Sequence, residues 1–273
     1  MANLFTEHIW NIEESYLRVS NKQTASGALG LFDVLGGAKN MLTADDAKWY
    51  NQYFTKKLSN NPNVLVLPIF GEMGRSSNEL IADLLASAKK DDAYRASVLK
   101  INTPGGTADS CSLLADAVNE FRKAKPLLVQ TAKCYSAGYF VASQADEIWL
   151  ENDSSTGIGS ISSLIFYENH QRELEQQGIS LEIFRAKGGE RKALINMYEP
   201  LTEETRAILQ NQVNMARQEF VGYVKRGRVG KIKNEEVFKG DTYNIKQGLE
   251  LGLADKVGSL SDAIKRSLQL SKG

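Results

Sequence analysis

Seven nearly unbroken apolar residues, Val64-Leu-Val-Leu-Pro-Ile-Phe70, predict a strand. Leu80, Ile81, Leu84, Leu85 and Ala88 then recur at helical spacing. Ala96–Ile101 reads as a second strand, and Cys111, Leu114, Val118 and Phe121 mark one face of a second helix. A third strand over Pro126–Thr131 leads through a short polar link to Ser136 and a helix over Ala137–Ser143. Glu147–Leu150 reads as another strand, 164–177 as a helix ending near Gly178, and Ser180–Phe184 as a strand. Past Pro200, Thr202 opens a long helix with Leu209, Val213, Ala216, Phe220 and Val224 on one face. Short helices at about 244–251 and 261–271 close the chain, with Asn244 and Ser261 as expected caps. Strands alternating with helices predict an α/β fold with mainly parallel pairing.

The first 60 residues break this rhythm. Asn21–Asn40 is rich in Gly, Ser, Ala and Thr and reads as a loop. Thr43-Ala-Asp-Asp46 is a capping-box-like helix start, with Trp49, Tyr50 and Phe54 able to line one face. Asn60-Asn-Pro-Asn63 marks a boundary. Two units follow: an N-terminal arm, loop and helix over 1–60, and the main domain over 61–273.

The chain has 273 residues, of which 42% are hydrophobic, enough for a substantial core. Lys plus Arg and Asp plus Glu both total 33, which gives no electrostatic pull toward nucleic acid or an anionic membrane. The two cysteines, Cys111 and Cys134, have neither metal-site nor disulfide-framework spacing and fit a reducing compartment. The N-terminus reads as neither a secretory signal nor a membrane span, so a cytoplasmic protein without a membrane anchor is expected.

Candidate chemistry starts at Ser136. A hydroxyl at a strand-to-helix turn serves most simply as an N-cap. The same place also puts it where free backbone N–H groups favour developing negative charge. Lys100-Ile-Asn-Thr-Pro-Gly-Gly-Thr107 ends a strand in a stiffened turn whose glycines, Gly105 and Gly106, let backbone N–H groups approach a ligand. An ordinary turn fits these residues as well.

A serine nucleophile needs a base. The histidines are His8, in the arm, and His170, in a polar helix where a surface role is expected. That scarcity points to lysine, which replaces histidine in Ser-Lys sites. The segment FRAKGGERKALINMYEP offers Lys187 and Lys192, with Arg185 and Arg191 nearby; spacing does not choose between the lysines, and a solvated basic loop also fits. A lysine base near pH 7 must be shifted by about 3 pKa units, on the order of 4 kcal/mol. Ser154–Ser163 is a Gly/Ser loop that could set a hydroxyl beside that amine or simply connect two elements.

Together INTPGGTADS, YSAGYFVASQADEIWL, TGIGSIS, EQQGISLEIF, AKGGERKA, PLTEETRAILQ and TYNIKQGLELGLADKVGSLSDAI resemble the signal peptide peptidase A family of Ser-Lys serine peptidases. The resemblance runs from about Val64 to Ala263. It implies a Clp-protease/crotonase-like fold of repeated ββα-type units with mainly parallel sheets, here with an N-terminal helical arm, and it makes 61–273 the peptidase domain. It puts Ser136 on the nucleophile, Lys192 on the general base, and Ser160 on the serine that orients the lysine. Gly105, Gly106 and Ala137 fall on the oxyanion donors. No cofactor or metal is implied. The chain departs from the family at Ser162, where a glycine is usual.

The resemblance implies a polypeptide substrate. The arm, the size and the absence of an anchor look more like the phage head-maturation branch, whose substrates are capsid or scaffold proteins and whose setting is host cytoplasm or an assembling capsid. Two other readings use the same fold. One is an acyl-CoA hydratase or isomerase with a carboxylate base, and the other is a catalytically silent assembly component. The aromatic load of the arm (Trp10, Tyr16, Trp49, Tyr50, Phe54) predicts a homo-oligomer larger than a dimer.

Overall fold

The computed structural model describes the backbone of residues 10–12 and the whole of residues 61–272. Expectations about the 21–40 loop, the Thr43 helix, the arm's other aromatic residues and His8 lie outside the described residues.

The chain runs β1 (Trp10–Ile12), β2 (Val64–Phe70), α1 (Arg75–Lys90), β3 (Ala96–Thr103), β4 (Gly105–Thr107), α2 (Cys111–Ala124), β5 (Leu127–Tyr135) and α3 (Ala137–Ala142). It continues with β6 (Glu147–Leu150), β7 (Gly157–Gly159), α4 (Gln171–Gln176), α5 (Glu203–Gly227), β8 (Thr242–Asn244), α6 (Ile245–Glu250), β9 (Lys256–Val257) and α7 (Leu260–Leu270). The main sheet has the order β2-β3-β5-β6-β9, and all four neighbouring pairs are parallel. This is the mainly parallel α/β architecture expected.

Alternation along β2 explains why its sequence is apolar throughout. Leu65 and Leu67 join the larger core with the helices α1 and α2, while Val64 and Val66 pack on the other face with Ala263 and Ile264 of α7. Each fully buried aliphatic side chain of this kind contributes about 1.5–3 kcal/mol. The α2 stripe is as the spacing predicts, with Cys111, Leu114, Val118 and Phe121 all buried.

β5 is longer than the apolar run suggests. The residues read as a polar link continue the strand as far as Tyr135, because a second partner takes over. Leu128–Thr131 pair with β6, and Lys133–Tyr135 pair with β7. β7 in turn pairs antiparallel with β8. β4 is held on one side by Met73 and on the other by β1, which runs antiparallel to it.

Four expectations are corrected. The helix expected over 164–177 is confined to Gln171–Gln176, since the residues before it are drawn into loop contacts: the Tyr167 hydroxyl donates to the Asn196 carbonyl and the Asn169 amide to the Glu199 carbonyl. Ser180–Phe184 is not a strand. Among the described residues no strand pairs with it, and Leu181 and Phe184 are exposed. The cap of α7 is Ser259, which accepts the Asp262 N–H in a reciprocal capping box, and not Ser261. On α5 only Thr205, Phe220 and Val224 are buried, so the expected apolar face is covered mainly at its C-terminal end. Among the described residues no helix is long and apolar enough to cross a membrane.

Candidate active site

The Ser136 turn is built by β5. The strand delivers Tyr135 opposite Gly159 of β7, and the Ser136 N–H donates to the Gly159 carbonyl at 2.9 Å. The chain then reverses into α3, which forces Ser136 to φ 53° and ψ −118°. Few side-chain-bearing residues adopt such a conformation, and it persists only where surrounding structure fixes it. Here the fixing includes Gly138, where an added Cβ would lie 2.4 Å from Thr103 Cγ2.

Ser136 occupies the N-cap place yet makes no side-chain cap bond. Among the described residues its buried hydroxyl has no hydrogen-bond partner. A buried orphan hydroxyl costs about 1–3 kcal/mol, so the cap reading does not account for this serine. Cys134, two residues earlier, is no rival nucleophile, since burial pushes its thiol far up.

The Pro-Gly-Gly turn lies beside α3. Its two glycines are required for different reasons. Gly105 sits at φ 111°, open to glycine alone in practice. Gly106 approaches Met73 so closely that an added Cβ would fall 1.9 Å from its carbonyl oxygen. Gly105 N–H donates to Thr103 Oγ1 at 3.0 Å, inside its own turn, while Gly106 stands opposite Asn11 of β1. Ala137 N–H is at the first helical position, where no intrahelical acceptor exists.

Ser160 follows the β7 residue that anchors Ser136, so the two serines flank one backbone junction. It too has a positive φ, 55°, and its N–H donates to the Asp241 carbonyl at 2.8 Å. Ser162, where the family usually has glycine, faces Gly240: a Cβ added there would lie 3.2 Å from Ser162 Cβ. The missing side chain at Gly240 makes room for the one gained at Ser162.

Both Lys192 and Lys187 are exposed, and among the described residues no hydrogen bond links either to Ser136. The Lys192 backbone is nonetheless organised. Arg185 Nε donates to its carbonyl at 2.7 Å, Arg185 Nη2 to the Ala193 carbonyl at 3.0 Å, and the same guanidinium pairs with Glu199. Arg185, read from sequence as a positive charge available to the lysine, is therefore spent on Glu199 and two carbonyls. Arg191 pairs with Glu204 at 2.6 Å. His170 is a surface residue as expected: Glu173, which accepts a hydrogen bond from its ring, and Glu168 beside it raise its pKa.

One carboxylate near β4 was not singled out in the sequence. Glu72 precedes Met73, and partial desolvation raises its carboxyl above the ordinary range. Its side chain is exposed, so this shift alone does not make it a base. Nothing in its local sequence, Phe-Gly-Glu-Met, signals a base.

The family model described as "Peptidase family S49" matches residues 119–272, a span that contains Ser136, Ser160 and Lys192. A putative protease of Methanocaldococcus jannaschii is 30% identical over 192 residues, covering 69% of this chain and 60% of that protein. Protease 4 of Haemophilus influenzae is 26% identical over 200 residues, covering 71% and 31%. Capsid assembly protease C of Escherichia phage lambda is 26% identical over 214 residues, covering 74% and 48%. The matched region thus spans between about a third and three fifths of these relatives' lengths. Among solved structures, a membrane-bound stomatin-specific protease mutant in complex with a substrate peptide aligns with a TM-score of 0.48 at 18% identity, covering 76% of this chain and 80% of that one.

Proposed function

The chain belongs to peptidase family S49, and from that premise we propose that it is a serine endopeptidase with Ser136 as nucleophile and Lys192 as general base. The observation that carries this reading is the Ser136 hydroxyl, buried, without a partner among the described residues, and held on a strained backbone. Lys192 takes the Ser136 proton as Oγ attacks a peptide carbonyl. The N–H groups of Gly106 and Ala137 hold the oxyanion. Lys192 then gives its proton to the leaving amine and later draws one from the water that releases the acyl group. Ser160 orients the lysine amine.

A lysine acts as a base near neutral pH only when burial or neighbouring cations hold it neutral. In the single chain Lys192 is exposed, and the segment around it carries exposed Phe166, Ile179, Leu181 and Phe184. An apolar surface beside an uncovered lysine supports a working site completed in a homo-oligomer larger than a dimer. The likeness to the lambda capsid assembly protease supports capsid or scaffold polypeptides as the substrate class. A setting in host cytoplasm or an assembling capsid goes with that class.

A fluorophosphonate probe followed by mass spectrometry of peptides tests the core of the reading. One adduct on Ser136, absent from Ser136→Ala, is expected. A protein that hydrolyses peptides yet carries the adduct elsewhere would sink the assignment, and the hydratase reading predicts no adduct.

A further inference from the structure

The peptidase reading requires an extended polypeptide to lie along backbone that carries an oxyanion donor, and β4 is that backbone. One edge of β4 is taken. Met73 N–H donates to the Gly105 carbonyl at 2.8 Å, and Thr107 N–H donates to the Met73 carbonyl at 3.0 Å. Backbone groups of successive strand residues point to opposite edges, so the N–H and C=O of Gly106 face the other side.

That side is filled from within the same chain. β1 pairs with it antiparallel, with Trp10 opposite Thr107, Asn11 opposite Gly106 and Ile12 opposite Gly105. The segment has neither proline nor glycine to weaken such pairing. We infer that residues 10–12 are a tethered competitor for substrate: they hold the strand position an extended polypeptide takes on β4, and they engage the Gly106 N–H that the oxyanion needs. The inference rests on the peptidase reading. A three-residue strand makes few main-chain bonds, so a longer substrate strand can displace it, while the tether keeps its local concentration high. Simple edge protection, in which β1 only shields an unpaired strand, is the competing role.

The test uses the full chain. Asn11→Pro removes the N–H that faces Gly106 and sets a ring in the path of the strand, whereas Asn11→Ala keeps the N–H. Hydrogen–deuterium exchange over residues 103–110 and hydrolysis of unstructured casein are measured on the wild type and both variants. If β1 holds the edge about nine-tenths of the time, Asn11→Pro lowers KM about tenfold at unchanged kcat, and β4 exchange rises by a similar factor. Asn11→Ala stays close to the wild type. An Asn11→Pro protein that cleaves casein with the wild-type KM overturns the inference and leaves the peptidase reading standing. Equal β4 exchange in Asn11→Pro and wild type also overturns it. Absence of hydrolysis by all three proteins, with Ser136 unlabelled by fluorophosphonate, overturns the peptidase reading and the competitor role together.

Discussion

The β2–β7 sheet and the stretch from Ser163 to Pro200 solve opposite problems. In the sheet, Ser136 is fixed by a strand with three partners, a glycine packed on Thr103 and a carbonyl on β7. In the other stretch only Gln171–Gln176 is helical, Phe184 is 89% exposed, and Lys192 faces solvent on a backbone clamped by Arg185. The proposed nucleophile is a product of the single chain's core. The proposed base is organised locally but awaits a cover. The difference teaches that the fold alone strains and desolvates a serine, while it leaves the lysine proposed as its base exposed to solvent.

Activity should break the comparison first if it is wrong. Ser136→Ala and Lys192→Ala are each expected to lower kcat/KM by at least roughly 10³-fold, with the double variant scarcely worse, because members of one dyad act as a unit. Steady-state hydrolysis of a protein substrate measures this. Full activity in Lys192→Ala with loss in His170→Ala would move the base role to histidine.

Stability sharpens the contrast next. Arg228 is buried against Asp255, at 2.6 Å, and Asp255 also accepts from Lys231 at 2.7 Å. Asp255→Ala leaves that guanidinium unpaired in the core and should cost about 3–5 kcal/mol in urea unfolding. Glu199→Ala removes the half-exposed partner of Arg185 and should cost no more than about 1 kcal/mol. Equal costs would erase the energetic distinction between the two regions.

The same core pair sets an acid limit. Burial alone would raise the Asp255 carboxyl, but Arg228, Lys231 and the Ile148 N–H outweigh it and hold it below the ordinary range. A depressed folded-state value means the stabilisation is complete above the unfolded-state value, about 3.9, and is lost as pH falls through the folded-state one. Unfolding free energy measured from pH 7 down to pH 2 should fall more steeply in the wild type than in Asp255→Asn. Parallel curves would remove Asp255 from the account.

The smallest effect on the single chain concerns the exposed face. Phe184→Ser should change unfolding free energy by no more than about 0.5 kcal/mol. It should nonetheless lower the particle mass seen by light scattering. An unchanged mass would mean that Phe184 is not what the second region offers a neighbouring copy.

Periodicity made the first region legible. A continuous apolar run such as Val64–Phe70 implies burial on both faces, and the Cys111-Leu114-Val118-Phe121 spacing implies one packed helix face. Both features carry their cause in the sequence. Ser180–Phe184 mixes apolar and polar residues as a half-buried strand would, but among the described residues no strand pairs with it, and no local pattern supplies one. Of the candidate site, Ser136, Ala137, Ser160 and the glycine pair could be named as residues. The φ of 53° at Ser136 could not, because it is imposed by β7 and by the packing of α3 on Thr103. Arg185 was visible only as a charge. Its bonds to the Lys192 and Ala193 carbonyls depend on how the loop closes.

The pairing of β7 with β8 has a consequence for how this protein can change length. Gly159 lies opposite Thr242, and the Ser160 N–H reaches the Asp241 carbonyl, so the chain leaves the sheet and returns at one spot. The intervening residues are a closed excursion, re-anchored on the way back by Phe220 and Val224 of α5. Closure entropy grows only with the logarithm of loop size, about 0.6 kcal/mol for each doubling. Insertions ahead of α5 are thus cheap and leave the Ser136 junction untouched. Natural variation in the reach of the lysine-bearing loop can accumulate there without reworking the scaffold beneath it.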